Sequence, residues 1–222
     1  MLARLPLDVR AGLLELGAEQ EFPRNEQLMV SQGRRSAQAM LLVSGLVKVA
    51  MPAEDGRVVM LGLVRGGDLA GEMTAIAPWE SPVRVVTCVH TVARMIDGRV
   101  LKEFLRRQPE AHFAVDRMII ERLREANRRR ADAGLSALCR LARVLLELVG
   151  TCGRLVDGKY ELLSCLTQAE LGSMAGMASR TAEVQLGELQ KLGIVESSYR
   201  KIMVTSVVQL RKVAQLPLEI PQ

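Results

Sequence analysis

The chain has 222 residues, enough for one large or two small domains, each with a core of its own. Hydrophobic side chains make up 49%, yet no apolar run approaches the roughly 20 residues of a membrane-spanning helix, which excludes an integral membrane protein of that kind. The net charge of +5 arises almost wholly between Phe104 and Arg130, where eight arginines face four acids, so charge by itself points only weakly to nucleic acid.

The N-terminal MLARLPLDVRAGLLELG has charges inside its apolar stretch and no small-residue cleavage site. It does not read as a secretory signal, and a cytoplasmic location is expected. From about Phe22 to Ile96, short β-branched and aliphatic runs alternate with turn signals: MLLVSG, LVKVAM, EDG, VVMLGLV, RGGD, VRVVTCV and TVARMI. Gly33, Gly45, Gly56 and Gly67 fall 12, 11 and 11 residues apart, which means strands of similar length reversing repeatedly. The expectation is an antiparallel β-roll.

From Gly98 the period changes to that of a helix. VLKEFLRRQPEAH reads as a short helix halted near Pro109, and neither Pro nor Gly recurs before Gly134. The residues between can form a helix roughly 35 Å long at 1.5 Å per residue. Its apolar positions, Phe113, Val115, Met118, Ile119, Ile120, Leu123 and Ala126, cover more than one face. One face packs on the roll, and a second copy of the helix is the simplest partner for the rest, although Arg122 and Arg129 make such a seam unusually polar. Val115, Met118, Ile119 and Ala126 are the residues expected at the seam. Gly134 interrupts the helix as a candidate hinge, and Ser136 is placed to cap the next one, SALCRLARVLLELVGTCG.

Residues 166–206, LTQAELGSMAGMASRTAEVQLGELQKLGIVESSYRKIMVTS, are the most informative. Thr167 and Glu170 form a T-x-x-E capping box that starts a helix, with Leu171 and Met174 on its inner face. Gly176 permits a sharp turn, and a second helix follows with Ala182, Leu186 and Leu189 inward. Leu192-Gly193-Ile194-Val195, a polar turn at Ser197-Ser198-Tyr199-Arg200 and Lys201-Ile202-Met203-Val204 then read as a β-hairpin wing. An ordinary helical hairpin is the alternative, but cap, turn glycine and wing in this order favour a DNA-binding helix-turn-helix.

Gln32-Gly33, LLVSGLVKV with Ser44-Gly45 as a strand pair, Glu54-Asp55-Gly56, Gly66-Gly67-Asp68, Gly71-Glu72-Met73, the long helix and the terminal helix-turn-helix occur in an order that resembles a known family. It is the Crp/Fnr transcription regulators, the relatives of the cyclic-AMP receptor protein and the fumarate-nitrate regulator. The resemblance covers nearly all the chain. It implies an α+β fold with an antiparallel β-roll of the cyclic-nucleotide-binding kind over residues 1–108, a long dimerisation helix and hinge over 109–134, and a winged helix-turn-helix over 135–222. It also implies a homodimer whose recognition helices enter successive major grooves of a roughly palindromic site, with RNA polymerase as a further partner.

In that family a small-molecule pocket lies beside the short helix of the roll. Gly71-Glu72-Met73 matches its opening, and Arg84 is the natural arginine, reached after a loop containing Pro78, Trp79 and Pro82. A carboxylate such as Glu72 can accept from a ribose hydroxyl, while helix-start amides and an arginine can hold a phosphate. Val85 stands where the family's cyclic-AMP binders offer a hydroxyl or a small residue, and Ala126 and Asn127 stand where they present adjacent hydroxyls to the purine. Arg122 joins these as a candidate effector residue. Cyclic AMP is therefore not expected to bind tightly; an effector of another kind, or none, is. The alternative for Glu72 and Arg84 is that they pair with each other or cap a turn. Arginines 122, 124, 128, 129 and 130 either receive a more highly charged anion or form a solvated face.

At the start of the second helix of the motif, Ser179, Arg180 and Val184 occupy the base-reading positions, with Thr181 and Glu183 between them. Arg180 matches the O6 and N7 acceptors of guanine, and Val184 a thymine methyl. Thr167, Lys201 and Arg200 are better placed for phosphates. The altered recognition helix leaves a second reading, a sensor or scaffold without specific DNA binding. An enzyme has little support: His90 and His112 have no catalytic constellation tied to them by spacing, and no phosphate loop is present. Cys88, Cys139, Cys152 and Cys165 form no CxxC pair and read as free thiols, without a metal site.

Overall fold

The computed structural model describes residues 1–29, 38–53, 58–77, 83–162, 166–198 and 201–217. Gln32-Gly33, Glu54-Asp55-Gly56, Pro78, Trp79, Pro82, Cys165, Tyr199 and Arg200 lie outside the described residues. The chain divides into two compact units, Met1–Glu125 and Ala126–Gln222.

In the first unit, β1 (Ala18–Phe22), β8 (Thr91–Asp97), β3 (Gln38–Ser44) and β6 (Leu69–Ala70) form one antiparallel sheet in that order. A second antiparallel sheet runs β2 (Gln27–Met29), β7 (Arg84–Thr87), β4 (Leu46–Pro52) and β5 (Val58–Arg65). The run AMLL in β3 is continuous because both of its faces are covered. Ala39 and Leu41 face a core shared with the helices, beside Leu13, Leu101 and Val115, whereas Met40 and Leu42 join Val47, Val64 and Val85 in a core drawn from both sheets. The two strands of LLVSGLVKV, expected to pair, belong to different sheets. A shift of register at Leu42–Ser44 and Gly45, at φ +99°, carry the chain from one sheet to the other. A Cβ on Gly45 would stand 2.5 Å from the Thr91 hydroxyl, so the crossing needs glycine.

Helix α1 (Leu7–Glu15) and the short α2 (Glu72–Ile76) flank the roll, and α3 (Gly98–Arg107) starts where the Asp97 side chain accepts from the Arg99 amide. Pro109 opens α4 (Pro109–Ala131), where a missing amide costs nothing. Of the residues expected at a seam between copies, Val115 and Met118 are buried against the roll, at 0% and 6% exposed, and Ile119 is partly buried against the same core. The uncovered apolar side chains of α4 are Phe113, Ile120 and Leu123, at 73%, 46% and 57% exposed; Ala126 is exposed as well.

In the second unit a 3-10 turn, Asp132–Gly134, separates the end of α4 from α5 (Ala137–Cys152), which Ser136 caps by accepting from the Cys139 amide. A four-stranded antiparallel sheet follows in the order β11 (Val195–Ser198), β12 (Lys201–Val204), β10 (Lys159–Leu162), β9 (Gly153–Val156). Helices α6 (Gln168–Met174), α7 (Ser179–Lys191) and α8 (Val207–Val213) complete the unit. Cys88 and Cys139 are buried, and Cys152 is half-buried. Among the described residues no helix is long and apolar enough to cross a membrane.

Candidate nucleic-acid interface and effector site

Both halves of the capping box are formed at the start of α6. The Thr167 hydroxyl accepts from the Glu170 amide at 3.2 Å, and the Glu170 carboxylate accepts from the Thr167 amide at 2.8 Å. The following turn is tight: Gly176 sits at φ +62°, and a Cβ on Gly172 would come within 2.9 Å of the Met177 carbonyl oxygen. Ala182, Leu186 and Leu189 bury one side of α7, which orients the helix and leaves Ser179, Arg180, Glu183 and Val184 exposed together, with Thr181 half-buried beside them. Ala178 at the N-cap supplies no capping side chain, so the first-turn amides are not engaged by one. The Arg180 guanidinium donates to the Glu183 carboxylate at 2.8 Å, one turn along the same face.

The hairpin of β11 and β12 pairs Ser198 with Lys201, and β12 also pairs with β10. Lys201 Nζ stands 3.3 Å from Glu161, whose other oxygen accepts from Arg154 at 3.1 Å. The Arg154 guanidinium, and after it the Lys201 ammonium, hold the Glu161 carboxyl below its ordinary pKa.

In the first unit Gly71, in the left-handed region at φ +77°, leads into α2, and Met73 is exposed. Glu72 is 2% exposed, and its ion partner is Arg122 of α4 rather than Arg84. Arg122 donates from Nη1 to Glu72 Oε1 at 2.6 Å and from Nη2 to the Leu69 carbonyl at 2.6 Å. The fold therefore brings Glu72 and Arg122 together across 50 residues of sequence. Arg84 is exposed on β7, and Val85, on the opposite face of the strand, is fully buried among the core residues of both sheets. Asn127 is exposed on α4.

Sequence reasoning missed a polar cluster in the second unit. Arg128 and Arg129 donate to Glu147 of α5 at 3.4 and 2.5 Å, and Arg143 pairs with the buried Asp132 while donating to the Ala214 carbonyl at 2.9 Å. Arg140 donates to four carbonyl oxygens, those of Ala133, Leu135, Ala175 and Gly176. The available signal was three charged residues, Arg140, Arg143 and Glu147, in a helix that is otherwise almost wholly apolar. The run 122–130 is thus divided between acids of both units: Arg122 serves Glu72, while Arg128 and Arg129 serve Glu147.

Residues 19–108 match the cyclic nucleotide-binding domain family, and residues 139–213 match the Crp-like helix-turn-helix domain family. The chain is similar to a CRP-like cAMP-activated global transcriptional regulator of Mycobacterium tuberculosis, 24% identical over 196 residues that cover 88% of this chain and 87% of that one. A transcriptional regulator of Thermus thermophilus is 25% identical over 185 residues, covering 80% and 84% of the two chains. Among solved structures, a CRP-family regulator from Thermus thermophilus superposes with a TM-score of 0.74 at 21% identity, over 90% of this chain and 98% of that one. A global regulator of Xanthomonas campestris described as responsive to c-di-GMP superposes with a TM-score of 0.76 at 18% identity, over 90% and 100%.

Proposed function

The chain belongs to the Crp/Fnr family of transcription regulators, and from that premise we propose that it acts as a homodimer on a roughly palindromic DNA site, in the cytoplasm and with RNA polymerase as a partner. It is a DNA-binding transcription regulator and not an enzyme. The observation that carries the mode of binding is α7, whose buried Ala182, Leu186 and Leu189 turn Ser179, Arg180, Glu183 and Val184 outward together. Arg180 reads a guanine, Val184 meets a thymine methyl, and Glu183 steadies the Arg180 guanidinium between encounters. Thr167 can donate its hydroxyl proton to a phosphate while its oxygen caps α6, and Lys201 exchanges Glu161 for a phosphate. Arg200 joins Lys201 as a phosphate contact. Gly134, in the 3-10 turn between α4 and α5, is the hinge of this reading.

Selection of bound duplexes from a random pool tests this reading. Arg180→Ala should cost about 1–3 kcal/mol per half-site and relax preference at one base, whereas Lys201→Ala should weaken all duplexes alike and make the salt slope shallower by about 1. Equal loss across all sequences on Arg180→Ala would remove its base-reading role.

The cyclic nucleotide-binding domain points to a small-molecule effector, which we place beside Gly71, Glu72, Met73 and Arg122, with Arg84 and Asn127 as outer candidates. Cyclic AMP fits this site poorly. Its ribose would have to take Glu72 from Arg122, Val85 is turned into the core and offers no hydroxyl, and Ala126 has none for the purine. Each polar group left unpaired on burial costs about 1–3 kcal/mol, so two of them weaken binding by roughly 30-fold or more. Calorimetry with cyclic AMP and cyclic GMP should show no tight binding; a submicromolar dissociation constant for either would reverse this.

A further inference from the structure

We propose that Arg140 is a positioning residue that sets the recognition helix, because its guanidinium staples the turn ending α4 to the turn beginning α7. On one side its Nη1 donates to the carbonyls of Ala133 and Leu135, both at 3.1 Å. On the other its Nε donates to the carbonyl of Ala175 at 3.0 Å and its Nη2 to that of Gly176 at 3.4 Å. These oxygens lie where helical segments end: Leu135 closes the 3-10 turn and Ala175 closes α6. Carbonyls at such ends have no intrahelical partner and carry partial negative charge, so a cation is favoured there. Only a planar fork with five donors can serve two such ends at once.

The neighbouring ion pairs explain why the staple transmits position. Arg128 and Arg129 fix the last turns of α4 to Glu147, and Arg143 fixes Asp132 of the 3-10 turn to α5. The carbonyls on the first side of Arg140 are therefore held by the same segment that ends α4. Those on its second side belong to the pivot at Gly176, immediately before the residues that open α7. A shift of the 3-10 turn moves Arg140 against that pivot, and with it the exposed set of Ser179, Arg180, Glu183 and Val184.

This rests on α7 being the helix that reads DNA. The test uses the full chain with Arg140→Gln and Arg140→Lys, against a selected duplex and random duplexes, together with amide hydrogen exchange in the absence of DNA. Arg140→Gln should lose about tenfold or more in affinity for the selected duplex, a usual size for coupling between sites, with affinity for random duplexes unchanged. Arg140→Lys keeps the charge but not the fork and should recover only part of the loss. In both variants exchange should quicken at Gly176 and Met177 but not at Leu145 in α5. Wild-type affinity for the selected duplex in Arg140→Gln, or a parallel loss on all duplexes with uniformly faster exchange, would overturn the proposal. A wild-type protein without sequence preference would sink the role of α7 instead, and the exchange comparison, which needs no DNA, still decides the staple.

Discussion

Arg122→Met should destabilise the N-terminal unit by about 3–5 kcal/mol, the usual cost of leaving one member of a buried ion pair without its partner. Glu72 is almost wholly enclosed and its countercharge comes from α4, so methionine leaves an enclosed carboxylate without the cation that pairs with it. The Leu69 carbonyl loses its donor in the same substitution. Adding Glu72→Gln should restore much of the loss, because the neutral amide no longer needs a countercharge. Denaturant unfolding of the wild type, both single variants and the double variant gives the coupling directly. If the two single effects add within about 0.5 kcal/mol, the pair is not the tie described here. The same pair has a functional consequence. An effector that took Glu72 Oε1 would compete with Arg122 of α4 for it.

The parts of the fold that were legible in the sequence are those in which a local rule meets no competitor. Thr167 with Glu170 and Ser136 each specify a helix start through groups within four residues, and each start is found; Pro109, expected to halt the preceding helix, follows the end of α3 and also opens α4. Turn signals separated the strands correctly, but not their partners. Ser44-Gly45 reads as a hairpin, whereas the fold uses it to change sheets, and only the Thr91 side chain packed against Gly45 reveals why. The hairpin of β9 and β10 was overlooked despite a clear local sign: Asp157 and Gly158 both have positive φ, 49° and 76°, as a two-residue turn of Asp-Gly requires. The ion pair between α2 and α4 was half legible. Glu72 was found by its flanking glycine and methionine, but the choice between Arg84 and Arg122 depends on an approach across 50 residues that no spacing encodes. Arg140 was illegible for a similar reason, since all its acceptors are main-chain carbonyls and carry no residue signature.

The two faces of α4 should separate cleanly under substitution. Val115→Asp places a charge among Leu13, Leu101 and Ile96 with no partner, which costs several kcal/mol and should unfold the N-terminal unit. Ile120→Glu changes a side chain that is 46% exposed and should leave the unit folded, with an unaltered circular dichroism spectrum. Its effect falls on association. Phe113 and Ile120 are seven residues apart, Leu123 follows after three, and Asn127 stands seven beyond Ile120, which is the spacing of a two-helix seam, with Asp116 and Asn127 as its polar positions among these residues. Each large apolar side chain contributes about 1.5–3 kcal/mol when fully buried, so a dimer that covers Phe113, Ile120 and Leu123 from both copies draws most of its stability from this stripe. A glutamate from each copy would meet its equivalent across the seam, an unpaired like charge in an apolar contact. Sedimentation should therefore show a wild-type dimer and an Ile120→Glu monomer at the same concentration, and the monomer should bind the selected duplex only as weakly as a single half-site allows. A monomeric wild type, or a dimer that survives Ile120→Glu, would move the seam elsewhere on the chain.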